Sequence, residues 1–169
     1  MTSARRIDDL IAGMATALKA ELAKRGIADP LMIGIHTGGV WIAQRLHALL
    51  GLSHALGTLD ISFYRDDFTR IGMNPQVRPS KLPHTVDHQH IILVDDVLYT
   101  GRTVRAAMNE LFDYGRPASI LLAVLVDRGG RELPVEANVV GTHLALDADQ
   151  HVKLTGPEPM ELVFSKTEE

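Results

Sequence analysis

Two adjacent carboxylates, Asp95 and Asp96, stand just ahead of the segment Tyr99-Thr100-Gly101-Arg102-Thr103. The hydroxyls of Thr100 and Thr103 can donate to phosphate oxygens, and Gly101 lets the backbone come close to a ligand. Carboxylates repel a phosphate, so this pair must serve whatever is attached to it. Acidic side chains beside a phosphate site accept hydrogen bonds from sugar hydroxyls, as the acidic residue of dinucleotide folds does from ribose. The combination points to recognition of a ribose 5-phosphate, with Asp95 and Asp96 on its 2′- and 3′-hydroxyls.

Such a site needs elements that aim these groups at one place. The apolar run Ile91–Val94 reads as a strand buried on both faces, and Val104, Ala107, Met108 and Leu111 follow at helical spacing. A turn feeding a helix N-terminus leaves backbone N–H groups unpaired and directs the positive end of the helix dipole at a ligand. The plain alternative is a solvated strand end followed by an ordinary turn. The acidic pair, the strand and the helix together supply the context that a phosphate motif requires. No Gly-Lys-Ser/Thr occurs and no G-x-G-x-x-G follows a strand, which excludes a Walker A loop and a dinucleotide fingerprint.

The pattern recurs upstream. Leu31–Ile35 predicts a buried strand, His36-Thr37-Gly38-Gly39 a turn, and Val40, Ala43, Leu46 and Leu50 a helix ended by Gly51. This is a second candidate anion cup, with a plain strand-to-helix turn as its alternative. Ser119–Val126 predicts a further buried strand, and Asp127-Arg128-Gly129-Gly130-Arg131-Glu132 leaves its carboxyl end. Strands alternating with helices imply crossovers and a parallel sheet, so all three loops should open at one carboxyl edge, where open α/β folds bind ligands.

The remaining segments frame this unit. Ile7, Leu10, Ile11, Met14, Leu18 and Leu22 predict an N-terminal core-facing helix ended by Gly26, and His54–Phe63 predicts another strand. From about 64 to 88 the chain is polar and broken by Gly72, Pro75, Pro79 and Pro83, a length that marks a functional loop. Its cations Arg65, Arg70, Arg78 and Lys81 suit phosphate contacts, against the alternative of a solvated loop tip. His84, Asp87, His88 and His90 lack the spacing of a zinc motif and read as polar loop residues. Ala137–Gly141 and Glu161–Phe164 are expected strands of a small hood or edge hairpin, separated by Gly156-Pro157, and Lys166–Glu169 is expected to be a tail.

A length of 169 residues with 46% hydrophobic content suits one α/β domain spanning 1–169. The formal charge of −4 argues against a generally basic nucleic-acid binder. The absence of cysteine excludes disulfides and thiolate metal sites. Without an apolar leader or a run of membrane-spanning length, the expectation is a cytoplasmic protein with no membrane partner.

The stretch from Ile91 to Thr103 resembles the phosphoribosyl pyrophosphate (PRPP) motif of type I phosphoribosyltransferases, and Val126–Pro134 resembles the PyrR family among them. PyrR proteins are pyrimidine-operon regulators that are also uracil phosphoribosyltransferases. The resemblance runs from the N-terminal helix to about Val152. It implies an open, mostly parallel twisted α/β sheet flanked by helices, a flexible loop at about 64–88 closing on the active site, and a hood from about 127 onward plus the C-terminal strands.

For the site, the resemblance implies that Ile91, Ile92, Leu93, Val94, Asp95, Asp96, Val97, Leu98, Tyr99, Thr100, Gly101, Arg102 and Thr103 form the PRPP-binding stretch, with Asp95 and Asp96 catalytic. Pyrophosphate would lie on His36, Thr37, Gly38, Gly39 and Arg65, and the base near Val126, Asp127 and Arg128. Relatives often carry a basic residue where this chain has Gly38, and their loop often holds a cis non-proline peptide. Mg²⁺ would accompany PRPP or pyrophosphate through ligand oxygens and water, with no direct protein ligand expected. Purine enzymes usually place an acidic residue where this chain has Tyr99, a departure that disfavours a purine substrate, while the PyrR resemblance favours uracil. No general base for the uracil N1 proton stands out.

The implied partners are PRPP, uracil, UMP and UTP, within a homo-oligomer that is a dimer or larger. Two functions from different classes follow: a uracil phosphoribosyltransferase, and a weakly catalytic or non-catalytic nucleotide sensor that binds pyrimidine-operon messenger RNA. An RNA surface would have to be gathered from residues such as Arg5, Arg6, Lys24, Arg25, Arg128 and Arg131.

Overall fold

Uninterrupted apolar runs form strands that are covered on both faces, and the three runs identified above stand side by side in the middle of one sheet. The computed structural model describes residues 4–61, 80–83 and 85–168, the side chains of Ala4 and Arg5 excepted. The elements run α1 (Ala4–Arg25), β1 (Leu31–Ile35), α2 (Gly38–Leu50), β2 (Gly57–Leu59), β3 (His90–Leu98), α3 (Arg102–Tyr114), β4 (Ser119–Asp127), β5 (Val139–His143), β6 (Gln150–Thr155) and β7 (Glu161–Lys166). The first five strands form a parallel sheet in the order β2-β1-β3-β4-β5, and β6 pairs antiparallel with β7. This is the open parallel α/β sheet that the alternation of strands and helices implied.

Side chains alternate along each central strand, so each run feeds two cores. Met32, Ile92, Val94, Leu121, Ala123 and Leu125 pack with Ile7, Ile11, Met14 and Leu18 of α1 and Ile42, Ala43 and Leu46 of α2. Leu31, Ile33, Ile91, Leu93, Leu122 and Val124 pack with Val104, Ala107 and Leu111 of α3. Truncating one such residue, Ile92 for example, would cost about 2–5 kcal/mol through lost burial and the cavity left behind. The sheet is thereby a stiff platform whose carboxyl edge carries the loops.

Four boundaries differ from the sequence pattern, each for a structural reason. β3 does not stop at Val94 but continues through both aspartates, because β4 pairs with it as far as Leu98↔Asp127. β2 is confined to Gly57–Leu59 within the expected His54–Phe63, because its partner β1 ends at Ile35 and turns into α2; Ser62 and Phe63 lie outside the described residues. Val139–His143 is not a hood strand but the fifth strand of the main sheet, paired from Ala123↔Val139 to Asp127↔His143. The hairpin instead joins β7 to Gln150–Thr155, with Leu154 opposite Leu162, both buried.

Candidate functional site

All three turns identified in the sequence emerge at the carboxyl edge, since their strands are parallel. At the first, β1 ends at Ile35, the His36–Thr37 peptide is cis, and α2 begins at Gly38. The His36 N–H donates to the Leu59 carbonyl of β2 at 2.8 Å, which fixes the start of the turn. At the second, Tyr99 and Thr100 lead to Gly101, whose φ of 93° lies in the left-handed region that glycine tolerates. Neither α2 nor α3 has a side-chain N-cap bond or an acidic residue in its first turn. The two usual ways of satisfying helix N-terminal amides internally are missing at both places. The Thr100 hydroxyl does accept the Arg102 N–H at 3.2 Å.

The two turns touch through the acidic pair. A Cβ on Gly38 would lie 2.8 Å from Asp96 Cγ, and one on Gly39 would lie 2.6 Å from the Val94 carbonyl oxygen and 3.0 Å from Asp95 Cα. Both glycines therefore mark a close approach of the first turn to β3, and the space a side chain at 38 would take is filled by the Asp96 carboxylate. Asp95 is buried, and its Oδ1 accepts the Asp96 N–H at 2.8 Å; Asp96 Oδ1 in turn accepts the Val97 N–H at 2.8 Å. Small residues on one loop and carboxylates on the other make one continuous cleft edge.

Asp127 anchors the third turn. Burial pushes its carboxyl up, but hydrogen bonds from Arg131 and from the Gly129 N–H outweigh it. Together with the charges of Arg131 and His143, they hold Asp127 below its ordinary value of 3.8. Arg131 Nη2 donates to Asp127 Oδ2 at 2.6 Å, its Nη1 to the Tyr99 carbonyl at 3.0 Å and its Nε to the Val135 carbonyl at 2.7 Å. One guanidinium thus joins the ends of β3 and β4. Glu132 and Leu133 donate their N–H groups to the Thr100 carbonyl at 2.9 and 3.0 Å, closing the segment over the Tyr99–Thr103 turn. Val126 lies buried in β4 beside Asp127, and Arg128 is buried with its guanidinium 3.8 Å over the Tyr99 ring centroid.

Two cavities flank this junction. One of about 110 Å³ is lined by Val97–Gly101, Thr103 and Val104. A larger one of about 560 Å³ is lined by Asp127–Gly129, Arg131, Glu136, His143, Leu144 and Ala145.

The structure therefore brings together the Ile91–Thr103 stretch, His36 to Gly39, and Val126 to Arg128, although Ile91 to Val94 lie within the sheet and reach the edge only through their strand. Arg65 lies outside the described residues, as do Arg70, Arg78 and His84; Lys81 is placed at the root of that segment, bridged to Thr58. Two contributions were missed in the sequence: the clamping by Arg131, and the packing of the Tyr99 ring. The signal for the first was available, since Arg131 follows Asp127 by four residues with opposite charge and two intervening glycines. Among the described residues, no group of three or more His, Cys, Asp or Glu is placed to hold a metal ion, and no helix is long and apolar enough to cross a membrane.

Comparison with known proteins gives the family of the chain. The phosphoribosyl transferase domain family matches residues 3–157. The chain is 62% identical over 157 residues to the bifunctional protein PyrR of Nitrosococcus oceani, covering 92% of this chain and 89% of that one. It is 59% identical over 154 residues to the bifunctional protein PyrR of Pseudomonas paraeruginosa, covering 91% of each. Among solved structures, the hypoxanthine phosphoribosyltransferase of Trypanosoma cruzi superposes with a TM-score of 0.65 at 22% identity, covering 85% of this chain and 80% of that one, a likeness of fold. The chain belongs to the phosphoribosyltransferase family and, within it, to the PyrR proteins.

Proposed function

We propose that the chain transfers the 5-phosphoribosyl group of PRPP to uracil, giving UMP and pyrophosphate, and that it also acts in pyrimidine-dependent regulation through messenger RNA. The observation that carries the enzymatic reading is the meeting of two strand–turn–helix cups at the Asp95–Asp96 pair, with Gly38 packed on Asp96. One cup suits the 5′-phosphate and the other the diphosphate, and the carboxylates between them suit the ribose.

In the reaction the uracil N1 gives up its proton, which leaves with diphosphate or to water, and forms a bond to C1′ as the C1′–oxygen bond to diphosphate breaks and positive charge builds on the sugar ring. Asp95 and Asp96 hold the hydroxyls and oppose that charge, a contribution of positioning and electrostatics rather than of a covalent nucleophile. His36 to Gly39, with Arg65, receive the leaving diphosphate largely through backbone amides, since residue 38 has no side chain to offer. Val126, Asp127 and Arg128 frame the base.

The cleft edge offers carboxylate oxygens, a donor set that fits a hydrated magnesium ion carried on the diphosphate. Carried on the diphosphate through ligand oxygens and water, Mg²⁺ would supply charge neutralisation of the leaving group, with Asp95 and Asp96 facing its water shell. The remaining parts of the reading are a single domain over 1–169 with a loop at about 64–88 serving the active site, a homo-oligomer of two or more copies, and a cytoplasmic location. Formation of UMP from uracil and PRPP in the presence of Mg²⁺ tests the enzymatic reading.

The regulatory arm is favoured by the word "bifunctional" in the names of the close relatives. Its test is the binding of a pyrimidine leader RNA measured against salt, with and without UMP or UTP. Salt-sensitive binding strengthened by the nucleotide supports it, and indifference to both RNA sequence and nucleotide refutes it.

A further inference from the structure

Arg128 is 7% exposed, yet among the described residues its Nε has no hydrogen-bond partner and its Nη2 donates only to the Asp147 carbonyl at 3.1 Å. A buried guanidinium with so few polar partners is costly unless something else holds it, and here its plane lies 3.8 Å over the Tyr99 ring centroid. The ring is fixed from its other neighbours as well. A Cβ on Gly130 would come 3.0 Å from Tyr99 Cδ1, so the ring lies against bare backbone there. The Tyr99 carbonyl accepts Arg131 Nη1. The ring is thus held between the Gly130 backbone and the Arg128 guanidinium, with its remaining surface open to solvent.

The position of the stack gives it a consequence. Tyr99 lines the small cavity beside Thr100, Gly101 and Thr103 of the phosphate turn, while Arg128 lines the larger cavity beside Asp127 and His143. Each member of the stack thus lines one of the two spaces, and the 3.8 Å contact between them links the spaces. Transfer requires N1 and C1′ to meet at about 3–3.5 Å, and an error of about 1 Å is enough to lose about a hundredfold in rate.

We propose that the Tyr99–Arg128 stack is a positioning device that sets the depth of the base pocket relative to the phosphate turn. Arg128 acts through the ring rather than as a direct ligand of the base. This inference rests on the uracil phosphoribosyltransferase reading and adds to it a residue that holds the acceptor.

Steady-state kinetics of the full chain with PRPP, Mg²⁺ and uracil, comparing wild type, Tyr99→Ala and Tyr99→Phe, provides the test. Tyr99→Ala should raise the KM for uracil about tenfold or more, by a larger factor than that for PRPP, and should lower the melting temperature because Arg128 loses the ring that holds it, whereas Tyr99→Phe should melt like wild type. Tyr99→Phe keeps the aromatic face and should return the uracil KM to within about threefold of wild type. An unchanged uracil KM in Tyr99→Ala overturns the proposal, and so does a Tyr99→Phe as impaired as Tyr99→Ala, which would assign the effect to the hydroxyl. A wild-type protein that forms no UMP refutes the functional reading instead; the stack is then judged by the calorimetric affinity of UMP for the same three proteins, with the same thresholds.

Discussion

Asp96 is constrained from two directions, by the bond from its amide to Asp95 Oδ1 and by the backbone of Gly38 beside its carboxylate. On the function proposed above, a carboxylate so fixed would be preorganised for the ribose and for the charge that develops on it. Replacing it by Asn keeps the shape and removes the charge, so Asp96→Asn should lower kcat by about 10²–10³ with little change in melting temperature. Asp95→Asn should do likewise, though Asp95 is buried and also holds the Asp96 amide, so some loss of stability is expected with it. Full activity in both variants would mean that the ribose is placed wrongly.

Asp127 is held by Arg131 below its ordinary value of 3.8. The unfolded chain therefore takes up this proton first on acidification. The contribution of Asp127 to stability is complete above about pH 4–5 and is lost as pH falls through the folded value. Asp127→Asn should cost about 1.5–3 kcal/mol near neutrality, and denaturant titrations should show the gap from wild type closing below pH 4. A gap independent of pH would show that the carboxylate charge is not what holds the turn.

At the scale of elements, the site depends on how closely α2 approaches β3. Ala at position 38 would drive its methyl into the Asp96 side chain, which can move only by leaving its place. Gly38→Ala is therefore expected to raise the KM for PRPP about tenfold and to lower stability by about 1–3 kcal/mol, read by kinetics and thermal melts. An unaffected PRPP KM would separate the first turn from the ribose site. The same geometry explains what the sequence could and could not reveal. β1, α2, β4 and α3 were legible because their apolar spacing matches burial on one or two faces. The end of β3 was not, because Asp95 and Asp96 interrupt the apolar run while the ladder to β4 carries the strand onward. β5 was misplaced because short apolar segments carry no information about which sheet they join. Residues 36–39 and 95–103 stood out by type, whereas the reach of Arg131 and the Tyr99–Arg128 stack depend on tertiary contacts between turns that are distant along the chain.

At the scale of the molecule, the sheet presents its three loops at one edge, and the charge balance constrains the second function. Arg6 and Lys24 sit on one helix about 27 Å apart, and Arg131 is committed to Asp127 and to two carbonyls. Arg6 and Lys24 therefore do not form one local patch and Arg131 is spent on the turn, which favours the expectation that a basic surface for RNA is assembled between copies. Catalysis needs no such assembly, because both cups and the acidic pair lie within one chain. The most direct measurement is therefore pyrophosphate release from PRPP with Mg²⁺, run separately with uracil, orotate, hypoxanthine and guanine. Release with uracil alone is the predicted result. Release with hypoxanthine or guanine but not uracil, or with no base at all, would contradict a uracil phosphoribosyltransferase.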